Sequence, residues 1–211
     1  AIDATCPLVT KVHIEANKHV RQGRHIFLIG HAGHPEVIGT MGQVEASEIT
    51  LIETVEDAFA VQPPEDCDLA FATQTTLSAD DTAEIITVLQ HRFPEIRGPK
   101  GEDICYATTN RQNAVKAMAK DVDLCLVIGA QNSSNSKRLV ETALNAGIAK
   151  AELIADSSML PYELIDDAAV IGLTAGASAP EILIDEVLTA LTERYQIEVN
   201  TQNLSLIHIS E

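Results

Sequence analysis

The chain has 211 residues, of which 45% are hydrophobic and 21% are charged, so it can bury a substantial core in about one or two domains. Its formal net charge of −17 indicates a solvated acidic exterior and argues against a nucleic-acid or anionic-membrane surface, because both partners select a basic face. No apolar run approaches the roughly 18 residues of a membrane span and no basic-then-apolar leader is seen, so we expect a cytoplasmic protein.

The first half of the chain predicts alternating helices and strands. Pro7 at a first helical position, regularly spaced apolar residues and a stop at Gly23 predict an opening helix of about four turns. Continuous apolar runs predict strands at residues 25–29, 49–52 and 69–72, and a helix follows at about 80–92. Pro94 and the Gly98-Pro99 pair then mark a linker.

The second half repeats this order, with helices predicted at 109–120, 136–145 and 179–194 and strands at 124–128, 151–154 and 169–173. Apolar strands separated by helices indicate parallel βαβ units with helices on both faces. We therefore predict an α/β fold of two pseudo-symmetric repeats, over residues 1–97 and 98–197, each a small parallel sheet flanked by helices. A tail follows over residues 198–211.

A short motif leads into the first helix of each repeat. The segments Asp3-Ala4-Thr5-Cys6 and Asp103-Ile104-Cys105 are each followed, 24 residues after the cysteine, by the glycine that ends an apolar strand, Gly30 or Gly129. The positive end of a helix dipole favours the thiolate form that binds metal. Cys6 and Cys105 are therefore predicted metal ligands.

The other cysteines predict different roles. Cys125 lies inside an apolar strand and Cys67 just before one, so both are expected to be core residues, and four such sparse cysteines do not make a disulfide framework. If the metal is an iron–sulfur cluster, four cysteines usually hold it, and a cluster that keeps one iron open for substrate takes three. Two ligating thiolates therefore predict that a third copy of the repeat lies upstream and that the chain is truncated.

Polar residues follow the predicted strands at equivalent places in the two repeats. Beyond the paired glycines the copies keep a shift of 99 residues, which sets His34 and Glu36 opposite Ser133 and Asn135. Further polar loops follow strands at 73–78 and 174–178. Because parallel sheets bind ligands beyond the carboxyl ends of their strands, these loops predict one shared site.

Six sequence blocks carry a family resemblance: DATCPLVTKVH, GHAGHPEVIGTMGQ, ATQTTLS, DICYATTNRQ, NSSNSKRL and TAGASAPEILI. Together they resemble the 4-hydroxy-3-methylbut-2-enyl diphosphate reductase family. The resemblance implies three α/β domains in a trefoil-like arrangement around a 4Fe-4S cluster held by one cysteine per domain. Cys6 and Cys105 match two of these ligands, and the family's first domain, with the third cysteine, has no counterpart in this sequence.

The resemblance also implies roles for loop residues of the first repeat. Glu36 matches the family's proton donor, and a carboxyl group suits general acid work because loss of a hydroxyl as water needs a proton. His34 matches a histidine that contacts the diphosphate and the proton network, and Thr75 matches a threonine that hydrogen-bonds the substrate hydroxyl. Taken alone, Glu36 and His34 are typical polar residues of a helix start, and Thr75 is typical of a strand-end turn.

In the second repeat the resemblance implies a diphosphate site. Ser133, Ser134 and Asn135 match a cradle in which hydroxyl and amide donors over a helix N-terminus bind an anion without a basic residue. Ser178 matches the last diphosphate contact. It has a structural alternative, because Ser178-Ala179-Pro180-Glu181 has the pattern of a capping box, and one hydroxyl can serve both roles.

The implied reaction is reductive dehydroxylation of the allylic diphosphate to isopentenyl and dimethylallyl diphosphate, with electrons from a ferredoxin or flavodoxin. As a fragment, the chain is expected to be inactive alone. Two alternatives stay open. A quinolinate-synthase-like enzyme also joins three α/β repeats around a three-cysteine cluster, although the HPE and SSNS blocks disfavour it, and a non-catalytic module that binds phosphorylated metabolites needs no cluster.

The last eight residues, 204–211, do not continue the family's pattern. We predict that they are non-native and that His208 is not a ligand.

Overall fold

The computed structural model describes residues 5–99 and 103–201. The chain divides into two compact units, Ala1–Cys105 and Tyr106–Glu211, each built on its own sheet. No helix within the described residues is long and apolar enough to cross a membrane. Asp3 and the tail residues 204–211, on which two predictions rest, lie outside the described residues.

The first unit alternates helices and parallel strands. In chain order these are α1 (Pro7–Arg21), β1 (Arg24–Ile29), α2 (Pro35–Met41), β2 (Ile49–Ile52), α3 (Val55–Ala60), β3 (Asp68–Thr73) and α4 (Ala79–Arg92).

Local sequence signals set the ends of these helices. Pro7 occupies the first turn of α1, where its missing N–H costs nothing, and Gly23 beyond the helix adopts a left-handed φ of 76°. α3 begins with a capping box between Thr54 and Asp57. Neither α2 nor α3 is in the predicted order of elements, because helices of seven and six residues are too short to show a clear helical period.

β1 is the central strand of the first sheet, which has the order β2-β1-β3 and parallel pairing throughout. Its side chains alternate between two buried faces. Phe27 and Ile29 pack in a cluster with residues of α3 and α4, whereas Ile26 and Leu28 pack in a cluster with residues of α1 and α2. The prediction of a small parallel sheet with helices on both faces is confirmed.

The segment after α4 stays attached to the first sheet. Arg97 forms a parallel bridge with Ala70 of β3, and residues 103–105 hydrogen-bond to Thr73 and Thr75 at the end of that strand. The first unit therefore extends to residue 105, whereas the sequence placed the boundary after residue 97 and Cys105 in the second repeat.

The second unit repeats the pattern. Its elements are α5 (Tyr106–Met118), β4 (Leu124–Ile128), α6 (Ser134–Asn145), β5 (Lys150–Ile154), a 3₁₀ turn (Ser157–Met159), α7 (Tyr162–Asp166), β6 (Ile171–Ala175) and α8 (Glu181–Arg194).

The second sheet has the order β5-β4-β6 and is parallel, so the internal repeat predicted from the sequence is confirmed. Every residue of β4 is buried. The paired glycines have the same backbone role, since the Gly30 N–H donates to the carbonyl that ends β2 and the Gly129 N–H to the carbonyl that ends β5. In both sheets the central strand therefore ends at an edge where the chain switches sides, the usual place for a ligand.

Both bounds of β6 are wrong in the sequence prediction, and the strand ends at Ala175 rather than at residue 173. β6 begins at Ile171 rather than at residue 169. The N–H groups of Ala169 and Val170 donate instead to Oδ2 of Asp123, at 3.0 and 2.9 Å. Their hydrogen bonds go to a side chain, so the regular ladder starts two residues later.

The predicted capping role of Ser178 is also wrong. α8 starts at Glu181 with Pro180 in the N-cap position and no side-chain cap hydrogen bond. A turn closed by the Ala179 N–H and the Gly176 carbonyl, 3.0 Å apart, comes between β6 and the helix. Ser178 lies in this turn with an exposed side chain, so its hydroxyl is not used as a cap.

Candidate functional site

The polar residues of the first unit gather where β1 and β3 end. Glu36 lies in the first turn of α2, which follows β1, and Thr75 lies two residues beyond the end of β3. The Thr75 N–H donates to Glu36 Oε1 at 2.8 Å and the Thr75 hydroxyl donates to Oε2 at 3.0 Å. Both oxygens of one carboxyl group are thus held by a single threonine, and the two residues predicted for acid chemistry lie together.

The environment of Glu36 favours its protonated form. Burial raises the pKa of the Glu36 carboxyl above its usual 4.5, the two hydrogen bonds from Thr75 act in the opposite direction, and the nearby carboxylate of Asp103 raises it further. The net effect is a raised pKa. A carboxyl group that keeps its proton closer to neutral pH is suited to donate it.

His34 caps α2. Its Nδ1 accepts the N–H of Glu36 at 3.2 Å, which requires a neutral ring with no proton on that nitrogen. Burial first, and then the neighbouring His31, lower the pKa of His34. The cap is therefore intact near neutral pH, and the ring's other nitrogen, Nε2, is left for other contacts.

The two predicted metal ligands lie at the starts of helices, and neither is in a disulfide. Cys6 is exposed and takes the N-cap position of α1, and Cys105 is half-buried directly before α5. The Cys105 N–H donates to the Thr75 carbonyl at 2.9 Å, so this cysteine is attached to the residue that also holds Glu36. Among residues 5–99 and 103–201, no group of three or more His, Cys, Asp or Glu side chains could by itself hold a metal ion.

The other two cysteines differ from each other. Cys125 is fully buried, as predicted, and burial raises the pKa of its thiol to about 12. The prediction that Cys67 is a core residue is wrong: it is half-buried in the turn before β3, and its Sγ donates to the Pro64 carbonyl at 3.3 Å. A turn at the amino end of a strand lies at the surface of the unit, which is why the apolar run beyond it does not bury this thiol.

In the second unit the predicted diphosphate cradle is the start of α6. Ser133 is the N-cap residue, and its Oγ accepts the Ser136 N–H at 3.3 Å and lies 3.0 Å from the Ser136 hydroxyl. Ser136 is fully buried against two glycines, since a Cβ at either Gly129 or Gly176 would lie 2.1 Å from its Oγ. The glycines that end the strands thus leave room for this hydroxyl under the loop.

The buried side chain of Asn135 lies in the first turn of α6. Its side chain is only 7% exposed, and neither Oδ1 nor Nδ2 has a hydrogen-bond partner among the described residues. A buried amide without partners costs about 1–3 kcal/mol. Such a group is expected where a bound molecule supplies the missing hydrogen bonds.

The remaining predicted residues of this unit are less buried. Ser134 is half-buried in the first turn of α6, and Ser178 is exposed in the turn between β6 and α8. Both follow the carboxyl end of a strand of the same sheet, as the sequence predicted.

Two buried polar residues of the first unit were not predicted as site residues, although Asp103 is part of the motif before Cys105. Gln74 is 1% exposed, and its side chain accepts the His31 N–H at 3.1 Å and donates to the Thr76 hydroxyl at 2.9 Å, which joins the loops after β1 and β3. Asp103 is 2% exposed and binds Lys11. Their signal in the sequence was weak, because a polar residue beside a motif is usually solvated.

The chain is similar to a known protein family and to named members of it. The family model described as LytB protein matches residues 1–192. The chain is 59% identical over 198 residues to 4-hydroxy-3-methylbut-2-enyl diphosphate reductase of Chelativorans sp. (strain BNC1), covering 94% of this chain and 59% of that one. It is 57% identical over 198 residues to the enzyme of the same name from Paracoccus denitrificans (strain Pd 1222), covering 94% and 63%.

The fold of the chain is also similar to that of a solved structure. The E-1-hydroxy-2-methyl-but-2-enyl-4-diphosphate reductase from Plasmodium falciparum is similar with a TM-score of 0.87 and 34% identity, over 97% of this chain and 66% of that one. The chain spans less than two thirds of the length of the two bacterial relatives.

Proposed function

The chain belongs to the LytB protein family, and from that premise we propose that it forms two of the three α/β units of a 4-hydroxy-3-methylbut-2-enyl diphosphate reductase. The reaction replaces the substrate's hydroxyl group by hydrogen: two electrons and two protons enter, the C–O bond breaks and water leaves. The observation that carries the proposal is the Glu36 carboxyl group, raised in pKa and held at both oxygens by Thr75.

Glu36 is the proposed proton donor. The departing hydroxyl needs a proton to leave as water, and a carboxyl group with a raised pKa can supply it at a pH where an ordinary glutamate is ionised. When the carboxyl loses its proton, the two donors of Thr75 stabilise the anion that remains. Thr75 thus fixes the direction of the carboxyl group and limits the cost of the transfer.

Cys6 and Cys105 fit a 4Fe-4S cluster as two cysteines at helix starts that form no disulfide, one exposed and one half-buried. Bound there, the cluster would supply the electrons and a Lewis-acidic iron for the substrate oxygen. The third cysteine ligand would come from the further length that the relatives have. The backbone bond between Cys105 and Thr75 then connects one cluster ligand to the residue that orients the acid.

The start of α6 is the proposed binding site for the diphosphate. The buried amide of Asn135 has no partner among the described residues and can donate through Nδ2, while Ser133, Ser134 and Ser178 offer hydroxyl groups. A chain with a net charge of −17 attracts anions only through such local donors and helix dipoles. His34 of the first unit is a further proposed diphosphate contact through Nε2.

The proposal includes a ferredoxin or flavodoxin as electron donor and a cytoplasmic location. The four cysteines all lie in described residues and form no disulfide, which favours a reducing compartment. The family match does not favour the quinolinate-synthase alternative or a module that only binds phosphorylated metabolites.

The test uses the full-length protein, made by adding its upstream coding sequence, and the chain as it stands. After anaerobic reconstitution, we expect the full-length protein to bind iron, to absorb broadly in the visible blue, to bleach on reduction and to consume the allylic diphosphate. Glu36→Gln should keep its iron and lose turnover by about 100-fold or more, in line with general acid catalysis. Cys105→Ser should lose iron.

Glu84→Gln, at an exposed position of α4, is the matched control and should behave as wild type. Full turnover by Glu36→Gln would remove Glu36 from the acid role. A reconstituted full-length protein without iron would contradict the cluster, and normal turnover by the present chain alone would contradict the need for a third unit.

A further inference from the structure

The carboxyl group of Asp103, two residues before Cys105, is buried in an ion pair with Lys11. The Asp103 side chain has no exposed surface, its Oδ1 lies 3.3 Å from Nζ of Lys11, and its Oδ2 accepts the Thr73 N–H at 3.3 Å. A carboxylate removed from water in this way is costly to hold unless it is paired. An apolar pair of similar volume is often as stable as a buried ion pair, so stability alone does not account for this one.

The ion pair joins two segments that each carry a proposed cluster ligand. Lys11 lies in α1, one turn beyond Cys6, and its side chain is 36% exposed. Asp103 lies two residues before Cys105, whose N–H donates to the Thr75 carbonyl at 2.9 Å. Residues 103–105 are therefore attached at one end to α1 and at two points to the end of β3.

Hydrogen bonds through Thr75 also connect residues 103–105 to Glu36, the proposed proton donor. Thr75, which accepts the Cys105 N–H through its carbonyl, donates both hydrogen bonds to Glu36. A displacement of residues 103–105 would therefore act on Cys105 directly and on Glu36 through Thr75.

We infer that Lys11 and Asp103 are a positioning pair, which sets the place of the Cys105 segment relative to α1 and β3 before any cluster binds. The inference rests on the proposed function, because the position of Cys105 matters only if Cys105 binds the cluster. Neither residue is proposed to touch the cluster or the substrate. Their effect passes through the backbone of residues 103–105.

The test uses the present chain without a cluster and reads the Cys105 segment directly. Amide hydrogen exchange at Cys105 reports its hydrogen bond to Thr75, and peptide-resolved alkylation by N-ethylmaleimide reports its thiol. We expect Lys11→Met to raise both rates at Cys105 by about tenfold, because breaking a buried pair leaves an uncompensated charge and loosens the segment locally. Exchange in β4 and alkylation of Cys125 should not change.

Three further variants separate positioning from general loss of stability. Lys11→Arg keeps the charge and should restore rates near those of wild type, while Asp103→Asn keeps an acceptor for Thr73 and should resemble Lys11→Met. Asp167→Asn removes the exposed pair between Lys150 and Asp167, 3.7 Å apart, and should leave Cys105 unchanged. If Asp103→Asn does not fold, the Lys11 variants at the partly exposed end of the pair carry the test.

Unchanged exchange and alkylation at Cys105 in Lys11→Met would overturn the inference. So would an increase spread evenly over both units, which indicates lost global stability. These readings need no iron or turnover. The positioning pair can therefore fail while the full-length protein is an active reductase, and it can hold while reconstitution shows no cluster.

Discussion

Thr75 donates both its backbone N–H and its hydroxyl to the carboxyl group of Glu36, at 2.8 and 3.0 Å. The two residues are 39 positions apart in the sequence and belong to loops that follow different strands. Because β1 and β3 are parallel neighbours, their carboxyl ends bring these loops together. The geometry makes Glu36 a carboxyl group with one defined orientation, and its consequences can be measured.

Thr75→Val should raise the pKa of Glu36 further. The valine keeps the shape and the backbone donor but removes the hydroxyl bond, one of the interactions that lower this pKa. We expect the free energy of unfolding to fall by about 1 kcal/mol, the usual value of one hydrogen bond. Carbon NMR titration of labelled glutamate gives the pKa. Thr87→Val removes a hydroxyl on the exposed side of α4 and should leave Glu36 as it is.

Glu36→Gln should change how stability depends on pH. Burial raises the pKa of Glu36 above its usual 4.5, so the folded protein binds this proton more tightly than the unfolded chain does. As pH rises from 4.5 through the raised folded value, the wild type loses stability that the glutamine variant keeps. Urea unfolding at several pH values should show the variant gaining relative to wild type across this window, and Glu84→Gln should show no such trend.

His34 should make the start of α2 sensitive to acid. Burial lowers its pKa below 6.5, so the folded protein resists the proton that the unfolded chain accepts, and stability falls as pH drops from 6.5 through the lower folded value. Protonation also removes the acceptor that caps the Glu36 N–H. His34→Asn keeps a cap without this titration, whereas His34→Ala should lose about 1 kcal/mol even at pH 8.

Thermal unfolding of these two variants between pH 5 and pH 8 provides the measurement. His91→Asn, at an exposed position near the end of α4, is the control. An equal pH dependence in wild type and His34→Asn would show that His34 does not cause the acid sensitivity.

Asn135→Leu should stabilise the fold and remove anion binding. Leucine has a similar volume and takes away a buried amide whose oxygen and nitrogen have no partner among the described residues, a gain of about 1–3 kcal/mol. The unfolding midpoint measures this, and calorimetry with inorganic pyrophosphate on the full-length protein measures binding. Asn145→Leu, at the exposed end of α6, should give neither effect. A destabilised Asn135→Leu would show that the amide already has partners in the free protein.

Much of the fold could be predicted from the sequence because its signals are local. Apolar runs gave β1, β2 and β4 almost to the residue, and Pro7 with Gly23 marked the ends of α1. The failures have equally local causes. The Asp123 side chain accepts the N–H groups of Ala169 and Val170, so these residues do not join β6. A turn before Pro180 separates Ser178 from α8.

The sequence by itself determined the repeat, the fold class and the candidate residues, because hydrophobic period, glycine placement and short motifs are properties of neighbouring positions. Only the tertiary structure decided how those residues act on one another. The double hydrogen bond from Thr75 to Glu36, the burial of Asp103 against Lys11 and the unpartnered amide of Asn135 depend on strands and loops far apart in the chain. Burial and distance set the protonation of an acid and the cost of an unpaired amide, and neither is a property of sequence neighbours.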